Sequence, residues 1–102
     1  MRAVLLAAGF LAHALSALPA LAQDVEGRNL AAGCAICHGT EGHAVKGSGF
    51  ASLAGLERDY IAAQMRAFRD GKRKATVMQQ LAKGYSDAQI KRLAAWFAAQ
   101  GK

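Results

Sequence analysis

The sequence has no strand pattern, no internal repeat and no low-complexity segment. The first absence excludes sandwiches, barrels and βαβ units, which need runs of alternating or β-branched residues. Cysteine is scarce, with 2 in 102 residues, so a disulfide-rich scaffold is excluded. Acid is short against base, 7 residues against 13, for a net charge of +6. After the first 22 residues no stretch is long or apolar enough to cross a membrane. The whole chain is 53% hydrophobic and 20% charged, neither disordered nor fibrous. A chain of 102 residues fits one domain.

Residues 1–22 read as a secretory signal peptide. Arg2 gives a positive start, and Ala3 to Leu18 is almost wholly apolar, broken by Gly9, His13 and Ser16. Pro19 ends the run, and Ala20-Leu21-Ala22 supplies small residues for cleavage after Ala22. An uncleaved membrane anchor is the competing reading. The expected mature domain is residues 23–102, exported to the periplasm. A domain this small buries a modest core and needs a disulfide, metal or cofactor to staple it.

The two cysteines sit in Cys34-Ala35-Ile36-Cys37-His38. A disulfide there would close a very small loop and restrain little of the unfolded chain. Cys-x-x-Cys-His is the attachment signature of c-type haem. Two thiols three positions apart on a helical turn share one face and can reach the two vinyl groups of one porphyrin. His38 then projects toward the iron, which imidazole ligates well. A thioredoxin-like pair would need a βαβ context. A structural zinc site would need four ligands, and only His43 is near. Chance occurrence is the remaining alternative.

Asp24 to Gly33 reads as a short helix leading into the motif, and Gly39 to Gly55 as a glycine-rich loop. Such backbone can wrap closely around a flat ring. Ile61, Met65 and Phe68 recur at helical spacing, giving a helix over Arg58 to Asp70 that Gly71 can stop. Thr76 to Lys83 is expected to hold a short helical turn. Ser86 and Gln89 form a capping-box pattern with Asp87 in the first turn. Ile90, Leu93, Ala94 and Phe97 make the inward stripe of that last helix, with Trp96 alongside and Gly101 closing it. The fold class is all-α with three main helices. The first helix is expected to pack on the last through Leu30 near Trp96 or Phe97.

The second axial position of a haem iron has three candidates in the mature chain. Met65 lies on an inward stripe, where methionine usually fills core. Met78 lies in a connector, Lys74-Ala75-Thr76-Val77-Met78-Gln79-Gln80, from which a flexible thioether can swing onto iron. His43 is the third, and an open position is the fourth alternative. Met78 is the preferred ligand. Methionine/histidine ligation raises the reduction potential and leaves no free iron position, which suits electron transfer. An open iron would instead point to a haem enzyme or a gas sensor.

Together Cys34 to His38, Ser52-Leu53-Ala54-Gly55-Leu56, Gly71-Lys72-Arg73, Met78 and Lys83-Gly84-Tyr85-Ser86-Asp87 resemble class I cytochromes c. The pattern is most similar to the haem subunit of flavocytochrome c sulfide dehydrogenase, and more loosely to cytochromes c4 and c553. The resemblance implies three to five helices around one covalent haem c, with His38 and Met78 axial. It also implies a flavoprotein partner that oxidises sulfide and passes electrons on. The family often has proline where Ala51 stands, and that residue's carbonyl holds the ring nitrogen of the haem-ligating histidine. Alanine keeps the carbonyl but loses the rigid φ. Some relatives carry two haem domains, whereas this chain has one such motif.

Arg66, Arg69, Lys72, Arg73 and Lys74 form a nearly continuous basic run. Cations suit a helix C-terminus without further purpose. The sharper reading is a docking face for an acidic redox partner, with Arg73 pairing a haem propionate. Nucleic-acid binding is not expected of an exported haem protein. A free shuttle to a terminal oxidase or another redox partner is the alternative to a dehydrogenase subunit. By itself the chain is read as an electron-transfer protein.

Overall fold

The computed structural model describes residues 18–102. The first 17 residues of the expected leader lie outside the described residues. Five α-helices follow in chain order: α1 (Leu18–Ala31), α2 (Ala35–His38), α3 (Arg58–Arg69), α4 (Met78–Ala82) and α5 (Asp87–Ala98). Short 3-10 turns at Ala32–Cys34 and Thr40–Gly42 flank α2. No strand occurs among the described residues, so the all-α expectation holds. None of the described helices is long and apolar enough to cross a membrane.

α1 begins earlier than the expected Asp24, inside the stretch read as leader. Alanine and leucine there are strong helix formers, and proline is tolerated in a first helical turn. α3 matches its expected span, with Asp70 as its cap and Gly71 at φ 75 just beyond. α5 starts as its sequence dictates. Ser86 Oγ accepts the Gln89 N–H at 3.2 Å, and the Gln89 side chain accepts the Ser86 N–H at 2.9 Å. These reciprocal bonds satisfy two of the orphan donors of the first turn. α5 stops at Ala98, before Gly101, with Ala99 as a right-handed cap. Gly101 is therefore not the stop signal that was expected.

The core lies where α5 packs on α1 and α3. Ile90, Leu93, Ala94 and Phe97 are buried to 1% exposure or less, as the stripe predicted. Each large apolar side chain fully buried this way contributes about 1.5–3 kcal/mol. Ile61, Ala62 and Met65 of α3 complete the cluster, with Phe68 partly buried against it. Met65 is thus core filler.

α1 packs on α5 as expected, and the crossing has a further contact residue. Gly27 lies directly over Trp96, and a Cβ at residue 27 would sit 3.0 Å from Trp96 Cβ. A missing side chain lets the two backbones approach closely. Leu30 packs against the core, while its carbonyl accepts the Tyr85 hydroxyl at 3.3 Å. Glu26 of α1 also pairs with Arg92 of α5. These contacts fix the end of α1, and therefore the place where the cysteine motif begins.

Candidate haem-binding site

The motif occupies two consecutive turns. Cys34 ends the 3-10 turn after α1, while Cys37 and His38 lie in α2. Both cysteines are free thiols and partly buried. Cys34 packs against the hydrophobic core. Burial pushes its thiol pKa up. A redox-active or metal-binding cysteine needs the reverse, a stabilised thiolate. This environment favours an uncharged sulfur, which a thioether is. Among the described residues, no three His, Cys, Asp or Glu side chains gather to hold a metal ion. The zinc and thioredoxin-like readings therefore lack their structural context.

His38 is oriented by the chain that follows it. Gly39 reverses the backbone at φ 80, and a Cβ there would meet the His43 carbonyl oxygen at 1.9 Å. The returning loop brings Ala51 back to the imidazole, and His38 Nδ1 lies 2.6 Å from the Ala51 carbonyl. A carbonyl only accepts, so Nδ1 carries the proton and donates. The tautomer is thereby fixed, and the lone pair resides on Nε2, free for iron. Alanine thus serves the contact that the resemblance assigns to proline at this position.

The loop is closed by its own hydrogen bonds. The Ala44 N–H donates to Ser52 Oγ at 3.0 Å, and Leu53 N–H donates to the Gly42 carbonyl at 2.8 Å. Gly42 also abuts the buried ring of Phe97. The Gly55 N–H donates to the Phe97 carbonyl at 3.0 Å, so the loop is tied to the end of α5.

His43 faces elsewhere. Its Nδ1 is 3.1 Å from the Thr40 carbonyl, and its Nε2 meets the Gly101 carbonyl. Both ring nitrogens thus lie against backbone carbonyls of the loop and the chain end. Met78 opens α4, partly buried against the same core that Cys34 touches. Its element is the short helical turn expected within Thr76 to Lys83, and it packs against α3.

The basic run divides on inspection. Arg69 bonds Asp70 at 3.3 Å and Asp87 at 2.7 Å, joining the end of α3 to the first turn of α5. Arg73 donates to Gln64 Oε1 at 2.6 Å and stacks over Phe68 at 4.7 Å. Arg66, Lys72 and Lys74 are exposed. Tyr85 stood in the sequence only as part of the Lys83 to Asp87 pattern, and Phe50 was not singled out. Burial, and then the nearby Cys34, push the Tyr85 hydroxyl pKa up, so it stays protonated and donates to α1. Phe50 lies edge-on to His38. Its only sequence signal was an isolated aromatic in a glycine-rich loop.

The family model described as cytochrome c oxidase, cbb3-type, subunit III matches residues 22–97. The chain is a class I c-type cytochrome. The cytochrome is 36% identical over 91 residues to the cytochrome subunit of sulfide dehydrogenase of Chlorobaculum tepidum, covering 87% of this chain and 81% of that one. It is 43% identical over 67 residues to a thiosulfate dehydrogenase electron acceptor of Thiomonas intermedia, covering 66% of this chain but only 31% of that relative. Its fold is similar to crystalline cytochrome c4 of Pseudomonas stutzeri, with a TM-score of 0.69 and 26% identity over 81% of this chain and half, 50%, of that one. Membership implies covalently bound haem c and an electron-carrying function. The residues fit that group: Cys34 and Cys37 would take the thioether bonds, and His38 would present Nε2.

Proposed function

We propose that this cytochrome is an exported, periplasmic, single-haem electron carrier with His38 and Met78 as axial ligands. The carrying observation is the His38 Nδ1–Ala51 carbonyl bond, which leaves Nε2 as a ready iron ligand beside two thiols. When bound, the haem supplies a reversible Fe(III)/Fe(II) couple. The chain's own residues do the rest. Cys34 and Cys37 tether the ring, so it cannot be lost to competing binders. Ala51 holds the His38 tautomer. Met78 would supply a soft thioether to the iron, a ligand that favours the reduced state. Little ligand rearrangement then accompanies each electron.

The partner we propose is a sulfide-oxidising flavoprotein, for which this chain is the electron-accepting haem subunit. The likeness to a sulfide dehydrogenase subunit, covering 81% of that chain, supports this reading. Exposed Arg66, Lys72 and Lys74 supply a cationic face for an acidic partner, and opposite charge raises encounter rates at low salt. A free shuttle is the second reading, favoured by the likeness to an electron acceptor of thiosulfate dehydrogenase. Pull-down of the tagged cytochrome from periplasm separates them. A co-purifying flavoprotein that reduces the haem with sulfide supports the subunit. A cytochrome recovered alone contradicts it and leaves the shuttle.

A further inference from the structure

Phe50 is 51% exposed and stands outside the core cluster. Its defined aromatic contact is with His38: ring centroids 6.2 Å apart and planes at 66°, an edge-on arrangement. The next residue supplies the carbonyl that takes the His38 Nδ1 proton. One dipeptide, Phe50-Ala51, therefore holds the imidazole twice, by a polar bond and by an apolar ring.

The segment carrying Phe50 is pinned. The Ser48 N–H donates to the Val45 carbonyl at 3.0 Å, the Phe50 N–H donates to Ser48 Oγ at 3.3 Å, and Ser52 Oγ accepts from Ala44 beyond it. The ring is thus presented by an ordered turn. The His38–Ala51 bond lies near the surface, where water competes for both partners. An apolar ring beside such a bond keeps water out and strengthens it locally.

We propose that Phe50 is a positioning residue for His38, shielding the Nδ1–H···O=C bond from water and restricting rotation of the imidazole. This rests on His38 as the iron ligand. The test is hydrogen exchange of the His38 Nδ1 proton, followed by NMR in the reduced, haem-loaded protein. In Phe50→Ala that proton is expected to exchange on the order of tenfold faster, with the amides of Ile90 and Phe97 unchanged. Phe50→Tyr is expected to restore slow exchange. Wild-type exchange in Phe50→Ala, or a rise that the core amides share, would overturn the role of Phe50. A wild-type protein that carries no covalent haem would instead overturn the reading of the site, and the proposal with it.

Discussion

The helical scaffold and the motif side of this cytochrome are built on different principles. Where α5 meets α1 and α3, side chains interlock: Phe97, Ile90 and Leu93 are fully buried, and Trp96 occupies space that a side chain at Gly27 would need. Elsewhere, Ile36 in the motif, Val45 and Phe50 in the loop after it, and Val77 and Leu81 at α4 are large, apolar and exposed. There the backbone is held by turns and hydrogen bonds, with few interlocking side chains. The scaffold supplies stability. The motif side supplies an apolar, adaptable rim, suited to a flat ring and to a partner's surface. Ties between the regions include Gly42 against Phe97, the Gly55 N–H on the Phe97 carbonyl, and Tyr85 on the Leu30 carbonyl.

Damage to the scaffold is expected to have the largest effect. Phe97→Ala should cost about 3–5 kcal/mol, a large share of a small domain's stability. Thermal unfolding followed by circular dichroism checks it. A loss below about 1 kcal/mol would break the contrast between a packed scaffold and a loosely packed rim.

Gly42→Ala attacks a tie. Residue 42 has φ 83, and its Cβ would meet Ala54 N and Phe97 Cδ1 at 2.8 Å each. Overpacking of this kind costs about 1–3 kcal/mol. Chemical denaturation should show that loss, and the His38 environment should shift with it, because Gly42 anchors the loop that returns Ala51. An unchanged histidine signal would mean that the two regions are uncoupled.

Tyr85→Phe should give the smallest change, about 1 kcal/mol for one hydrogen bond. Its pH dependence is diagnostic. Burial raises the Tyr85 pKa above the ordinary 10.0, so the bond persists below that value. Its contribution is lost as pH rises through the raised folded value. The stability difference between wild type and Tyr85→Phe should be constant through neutral pH and shrink only in strong alkali. A difference that shrinks near neutral pH would remove the tie.

The comparison also sorts what the sequence disclosed. The capping box at Ser86, the stripe Ile90-Leu93-Ala94-Phe97 and the bounds of α3 follow from local spacing, and all three are in place. The pentapeptide from Cys34 named its chemistry because attachment demands that spacing. Contacts between distant segments were hidden. Gly27 carries no local sign that Trp96 will lie on it. Arg69 looked like one more surface cation until Asp87 came round to meet it. Nothing local in the sequence says that the His43 ring will lie against the Gly101 carbonyl. Phe50 acquires meaning only because Gly39 turns the chain back and Ala51 reaches His38. Each of these depends on a partner 17 or more residues away or on a reversal of the backbone, which periodicity does not record.

Whole-protein mass measurement of the purified cytochrome addresses the site directly. Thioethers at Cys34 and Cys37 predict a mass raised by a single haem that acid-acetone does not extract, with the increment lost in a Cys34→Ser, Cys37→Ser double variant. A wild-type product at bare polypeptide mass, its two sulfurs reduced or bonded to each other, would contradict it.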